Sequence, residues 1–482
     1  MLMFNCLAAT LARTVFIFLF FYYFCNRGYS NRCCKKLCKQ KMRFYDREAE
    51  INALRKYERM SAQNAQMIVI TGRRRIGKTT LIKRAFNEIP FLYFFVGKKS
   101  EALLCEELAG IVSDVLGEDL GDFTSFRRLL SAIMGISKRL NFTLVLDEFQ
   151  NLKYANNAIF SDFQDVWDSN KQDSRINLVI CGSIYSKMKK IFDDKEEPLY
   201  GRATARFKIK PFSIGTVKEI LRDYNPDYTP DDLLCLYMIT GGVAKYVELL
   251  MDQNAVNKDK MISATVSLGS YFVDEGRELF SDEFGKDYGN YFSILAAIAQ
   301  GHTSRGDIKS YVGFETGGYL DRLEEDYNIV AKRKPYQAGD NTRNVRYGIS
   351  DNFLIFWFRF IYKYRSAVEI GNMDFVREKI LADYESFSGF CLERYFRQKY
   401  METGLYNVVT NYWESGRNGS VGENNEIDLV AVNENEKRIV IAECKRNHDK
   451  INVSALKDKA KSIASHHKNW TIEYSALSLL DM

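Results

Sequence analysis

The chain has 482 residues, of which 46% are hydrophobic and 27% charged, with only six prolines, which excludes a disordered or low-complexity protein and leaves room for three or four packed domains. Its net charge of +6 is local: residues 1–41 carry seven Lys/Arg and no acid, so residues 42–482 sum to −1. The high overall pI is therefore no argument for nucleic acid binding.

Five of the ten cysteines (Cys6, Cys25, Cys33, Cys34, Cys38) lie in the same N-terminal stretch, and the other five are scattered through apolar runs, as in a reduced cytoplasmic protein. Within residues 1–41, Val15 to Phe24 is an apolar run that extends back to Cys6 only by accepting Arg13. About 20 apolar residues are needed to cross a bilayer. Two readings stand: a marginal anchor through residues 6–25 with the body in the cytoplasm, or residues upstream of a natural start at Met42, where the composition changes.

Residues 71–80 read T-G-R-R-R-I-G-K-T-T. Gly72, Gly77, Lys78 and Thr79 satisfy G-x-x-x-x-G-K-[ST], between an apolar strand (Met67 to Ile70) and a helix (Leu81 to Phe86). This is a phosphate-binding loop, in which backbone N–H groups of Gly72, Arg73, Arg74, Arg75, Ile76 and Gly77 turn toward phosphates. Lys78 reaches the β/γ-phosphates, and Thr79, with Thr80 beside it, faces Mg²⁺ at the helix N-terminus. The strand in Asn141 to Gln150 (N-F-T-L-V-L-D-E-F-Q) delivers Asp147 to the Mg²⁺ shell and Glu148 to the attacking water. A third strand, Asn177 to Cys181, ends in Gly182-Ser183, with Ser183 a candidate γ-phosphate sensor. Asn170-Lys171-Gln172-Asp173 matches the guanine-reading N-K-x-D, but it follows a helical pattern and no D-x-x-G follows Asp147, so the expected nucleotide is ATP.

These residues resemble the AAA-type P-loop ATPases of archaea and bacteria in the STAND-related group, often fused to a nuclease-like C-terminal domain. The resemblance also rests on Phe44-Tyr45-Asp46-Arg47-Glu48, Pro198-Leu199-Tyr200-Gly201-Arg202 and Gly241-Gly242-Val243-Ala244-Lys245-Tyr246. It implies an α/β fold: a P-loop core with a parallel sheet (residues 42–210), a helical lid (211–285), a winged helix (286–365) and a PD-(D/E)xK-like domain (366–482). It makes Arg202 a candidate finger or phosphate sensor, and self-association follows if that arginine acts on a second copy. The family's G-G-x-P is Gly241-Gly242-Val243-Ala244 here, without the proline.

Apolar spacing from Phe212 to Glu283 is helical, as a lid requires. Residues 290–350 read as three short helices and a β-wing; the third helix carries four acids and one arginine, which suits a protein partner better than DNA, while Lys332-Arg333-Lys334 offers a basic cluster. Farther on, Asp428 in Glu426 to Val432 and Glu443-x-Lys445 in Lys437 to Lys445 form the D…E-x-K arrangement of PD-(D/E)xK nucleases. Strand alternation puts Glu443 and Lys445 on one face, so Asp428 and Glu443 share a divalent metal while Lys445 positions water, with Glu393 on an upstream helix (Phe390 to Tyr400). The expected function is a Mg²⁺-dependent ATPase switch coupled to a nuclease-like domain acting on DNA, the alternative being a nucleotide-gated scaffold with an inactive nuclease-like domain.

Overall fold

The computed structural model describes residues 42–86, 88–281, 284, 287–339, 341–414 and 425–482. The chain divides into Met1–Arg43 and Phe44–Met482. The anchor and start-site readings of residues 1–41 fall outside the described residues. Among those that are described, no helix is long and apolar enough to cross a membrane.

Met67 to Ile70, Leu144 to Leu146 and Leu178 to Cys181 are apolar on both faces, which only a strand covered on both sides tolerates. They become the interior of a five-stranded parallel sheet: β1 (Gln66–Thr71), β2 (Phe91–Phe95), β3 (Phe142–Asp147), β4 (Ile176–Gly182) and β5 (Ala205–Lys208), in the order β2-β3-β4-β1-β5. The edge strands β2 and β5 alternate in burial instead. The register pairs Thr71 with Gly182 and Phe95 with Asp147, so the carboxyl ends of four strands are nearly level. Helices Lys78–Ala85, Glu101–Leu116, Phe126–Ser137, Ile159–Asn170 and Tyr185–Asp193 form the crossovers.

The core beneath the strand ends is anchored by Phe149, which is fully buried. Its ring stacks on Phe160 at 5.3 Å and meets Phe163 and Phe192 at 5.4 and 5.9 Å. Five lid helices follow: Ile214–Tyr224, Pro230–Thr240, Ala244–Asp252, Lys258–Thr265 and Tyr271–Ser281. Helix Pro230–Thr240 starts on a capping box, Thr229 with Asp232, and places proline at its first turn. It ends at Gly241-Gly242, and a Cβ on Gly242 (φ 76°) would stand 2.6 Å from the Phe212 carbonyl, so this turn requires glycine there; the position of the absent proline is Ala244, the first residue of the next helix.

Helices Tyr288–Ala299, Arg305–Val312 and Gly317–Glu325 precede an antiparallel hairpin, β6 (Val330–Arg333) with β7 (Arg346–Ile349). Lys332 is exposed while Arg333 turns inward, so the three basic side chains do not present one surface. The helix expected over residues 390–400 is the end of a 30-residue helix, Met373–Glu402. It leads into β8 (Val408–Trp413), β9 (Glu426–Asn433), β10 (Arg438–Cys444) and β11 (Thr471–Leu477), a mixed sheet in which β8, β9 and β10 are antiparallel and β11 runs parallel to β10.

Phe149→Ala removes the ring that all three aromatic neighbours share. It should lower unfolding free energy by about 3–5 kcal/mol, read as a shift in urea midpoint.

Candidate functional site

Gly77 (φ 93°) turns the chain from β1 into helix Lys78–Ala85, and its α-carbon faces the first residue of a lid helix, with Ala244 Cβ 3.6 Å from where a Cβ would lie. Lys78 is 8% exposed. Its ammonium donates to the Gly72 carbonyl at 2.6 Å and the Arg73 carbonyl at 3.1 Å. Burial depresses its pKa, and the nearby Cys181, Glu148 and Asp147 oppose that effect.

Thr79 Oγ1 donates to Asp147 Oδ2 at 3.3 Å. Neighbouring oxygens on an octahedral Mg²⁺ with bonds of about 2.1 Å stand about 3 Å apart, so this pair fits the metal's shell. Asp147 is positioned from two sides: Tyr93 Oη on the adjacent strand donates to Oδ2, and the Glu148 amide donates to Oδ1 at 3.0 Å. Desolvation and the bond to Asp147 both push the Tyr93 phenol pKa upward, which keeps it a donor.

Glu148 sits at φ 56°, ψ 40°, a left-handed conformation uncommon for a residue with a side chain. That turn lets Phe149 enter the core while the carboxylate swings to the next strand end. There Ser183 Oγ donates to Oε2 at 2.8 Å, and Gln150 Nε2 donates to the same oxygen. A Cβ on the neighbouring Gly182 would meet Gln150 Oε1 at 2.5 Å, so glycine is what lets this amide approach.

The three loop arginines face the lid and the segment after β7. Arg73 forms an ion pair with Asp351 and donates to Tyr246 Oη at 3.2 Å. Arg74 Nε donates to Ser183 Oγ at 3.4 Å. Arg75 (φ 69°) pairs with Glu275 at 3.3 Å, and its carbonyl accepts from the Lys245 amide at 3.1 Å. Glu275 is 1% exposed and also accepts from Tyr246 Oη at 2.8 Å.

Lys78, Thr79, Asp147, Glu148 and Ser183 thus converge, and Arg202 does not join them. Its guanidinium pairs with Asp168 at 3.0 Å. Its neighbour Thr204 donates through its amide to the Met67 carbonyl, at the amino end of β1 and the opposite end of the sheet from the loop. Asn170 to Asp173 lies at that end too, where the Lys171 carbonyl accepts from the Ala65 amide. Tyr93, Gln150, Tyr246, Glu275 and Asp351 were not expected. Gln150 carried a signal, two residues after Glu148, and Tyr246 ends the Gly241 to Tyr246 segment of the resemblance; the others come from distant segments.

The C-terminal residues also meet. Lys445 Nζ lies 3.1 Å from Glu443 Oε1 and 3.9 Å from Asp428 Oδ2, and Lys459 Nζ lies 3.3 Å from Glu443 Oε2. Asp428 Oδ2 accepts from the Cys444 amide at 2.8 Å. Glu393 pairs with Arg397 at 3.5 Å. Burial, reinforced by the Asp428 charge, pushes Glu393 up to about 7. Burial raises Asp428 as well. Two carboxylates bridged by one ammonium suit a single shared cation; no cluster of three or more His, Cys, Asp or Glu gathers among the described residues.

A parallel sheet with a phosphate loop after β1 and an Asp-Glu pair after β3 defines a P-loop ATPase-type protein. The ATPase_2 family, described as an ATPase domain predominantly from Archaea, matches residues 44–250, and DUF234, described as archaeal and bacterial proteins of unknown function, matches residues 357–462. Uncharacterized protein MJECL04 of Methanocaldococcus jannaschii is 31% identical over 406 residues, 83% of this chain and 87% of that protein. Uncharacterized protein MJ0424 of the same organism is 35% identical over 83 residues, 16% of this chain and 77% of that protein. The Walker-type ATPase PABY2304 of Pyrococcus abyssi superposes with a TM-score of 0.51 at 20% identity, covering 66% of this chain and 96% of that one, which is a likeness of fold. The chain belongs to the archaeal P-loop ATPase family that MJECL04 represents.

Tyr93→Phe removes an outer-shell donor to Asp147. Outer-shell losses typically cost about 10–100-fold in metal affinity, so the Mg²⁺ concentration supporting half-maximal ATP binding should rise by about tenfold or more. At Glu393, the folded chain holds a proton that the unfolded chain releases between pH 4.5 and about 7. Stability therefore falls as pH rises through that window and levels off above it. Glu393→Gln should remove this slope, so its urea midpoints at about pH 5 and about pH 8 lie closer together than those of the parent.

Proposed function

We propose that this protein is a Mg²⁺-dependent ATPase used as a switch, with its nucleotide state coupled to a nuclease-like C-terminal domain that acts on DNA. The observation that carries the reading is the pinning of Glu148 by Ser183 and Gln150, two strand ends away from the buried Lys78 ammonium. Lys78 binds the β/γ-phosphates, and Thr79 and Asp147 would hold Mg²⁺, which would supply neutralisation of phosphate charge. Glu148 orients the attacking water, and Ser183 and Arg74 tie its position to the γ-phosphate.

The coupling reading rests on two contacts of the lid. Arg75 in the loop and Lys245 on the lid share a hydrogen bond, while Asp231, at the start of lid helix Pro230–Thr240, pairs with Arg446 at 2.8 Å. Arg446 directly follows Lys445. A change in lid angle therefore reaches the Asp428, Glu443 and Lys445 site through a half-buried cation–carboxylate contact. We assign residues 42–210 to the ATPase core, 211–285 to the lid, 286–365 to a winged helix with a protein partner, and 366–482 to the PD-(D/E)xK-like domain. Action by Arg202 would require a second copy and release from Asp168.

A second reading, a nucleotide-gated scaffold with an inactive nuclease-like domain, is favoured by the salt bridges that already neutralise Glu443. Phosphate release from ATP separates these. Glu148→Gln should slow turnover by about 10²–10⁴-fold while ATP binding persists. Binding without turnover in the parent chain would sink the hydrolytic reading. Metal-dependent nicking of plasmid DNA should disappear in Asp428→Ala and also in Lys78→Ala; loss only in Asp428→Ala would mean that cleavage is independent of the switch.

A further inference from the structure

One unassigned feature is a cavity of about 770 Å³ between the β6–β7 hairpin, helix Met373–Glu402 and the edge of the C-terminal sheet. It is lined by Arg333, Arg346, Arg359 and Arg397, among others. Most of these guanidinium groups are satisfied. Arg346 pairs with Glu426 at 2.6 Å and covers the Trp413 ring, Arg359 pairs with Asp383 at 2.6 Å, and Arg397 pairs with Glu393.

Arg333 is the exception. Its guanidinium lies across Gly348 on the facing strand, 3.2 Å from where a Cβ would be. The charges that reach it are those of Arg394 and Arg397, which repel it, and of Glu393, which Arg397 already holds. Among the described residues it has no carboxylate partner. Burial together with those two arginines depresses its pKa to about 9, so it remains a cation at neutral pH. A half-buried guanidinium that faces a cavity is a forked donor set without its anion, and phosphate matches that fork.

Phe390 adds a second recognition element. It is 40% exposed, one helical turn before Glu393, and it lines both this cavity and a neighbouring groove of about 740 Å³ that runs past Lys445, Arg446 and Lys450. The cavity also carries Asp307, Glu393, Glu414 and Glu426, and the groove Glu385 and Glu393, so neither is basic as a whole and the anion would be drawn to Arg333 locally; an exposed ring at the junction of the two is a stacking platform for a flat base. We propose that the cavity binds a nucleotide, its phosphate forked by Arg333 and its base on Phe390, presented either as a free nucleotide or as the 5′-phosphorylated end of a single strand. The site is separate from the phosphate loop and needs neither ATP turnover nor cleavage.

The test uses the full chain carrying Lys78→Ala, which silences the phosphate loop, in EDTA, which prevents cleavage. The probe is a 5′-phosphorylated, 3′-fluorescent oligothymidylate read by anisotropy. Arg333→Met, Phe390→Ala and removal of the 5′-phosphate should each weaken binding by about tenfold or more. The melting temperature of Arg333→Met should be unchanged or raised, since a half-buried cation without a carboxylate partner is removed. Displacement by thymidine 5′-monophosphate identifies a free-nucleotide site, and displacement by unlabelled oligomer alone identifies a strand-end site; both support the proposal. No binding of either probe overturns it, as does affinity within about twofold of the parent in Arg333→Met. Phe390 is a surface residue, so unchanged affinity in Phe390→Ala overturns the placement of the base even if Arg333→Met folds poorly.

Discussion

Everything at the nucleotide site depends on the register of a parallel sheet. Thr71, Asp147 and Gly182 end three neighbouring strands at nearly the same height, and the groups that follow them need no long reach to meet. The loop after β1 brings Lys78, the turn after β3 brings Glu148, and the end of β4 brings Ser183. A shift of one residue in any strand would turn each interior side chain to the opposite face. The continuous apolar burial of β1, β3 and β4 prevents this only because both faces are covered by helices, so the chemistry of the rim is secured by packing beneath it. Phe149 shows that dependence in one residue: its ring belongs to the core, and the residue before it is forced into a left-handed turn.

Motifs made of neighbouring residues were legible. G-x-x-x-x-G-K-T, the Asp-Glu strand end and D…E-x-K each occupy one or two short segments, and periodicity placed each on the element that the structure shows. Tyr93 was not legible, because a tyrosine in F-L-Y-F-F looks like any edge-strand aromatic until β2 is known to lie beside β3. Asp351 and Glu275 were hidden for the same reason, at 200 or more residues' separation from the loop arginines they bind. Lys332-Arg333-Lys334 misled in the opposite direction. Three cations in a row suggest one basic surface, but strand alternation sends the middle one inside. Arg202 depended on a family resemblance, and three-dimensional placement puts it at the far end of the sheet.

The C-terminal sheet is connected to the lid by contacts that local sequence does not announce. Asp231 accepts from Arg446 and Tyr384 and pairs with Lys258, and burial of this carboxylate is offset by those donors, which together hold its pKa below the usual carboxylate range. Tyr237 donates to Gln398, and Asn352 donates to the Tyr237 carbonyl. Removing one member of such a set leaves buried polar groups unpaired, which costs more than the pair itself contributes. This part of the molecule is therefore built to keep one arrangement or to exchange it as a unit.

The hydrogen bond from Lys245 to the Arg75 carbonyl joins the phosphate loop to the lid at a peptide that both elements use. Loop and lid therefore share this contact. The same lid is held at its other end by Arg446, which closely follows the C-terminal strand β10. On the proposed reading, a fragment ending after the lid would keep Lys78, Thr79, Asp147, Glu148 and Ser183 yet lose Asp351, which pairs with Arg73 of the loop, and with it part of the loop's preorganisation.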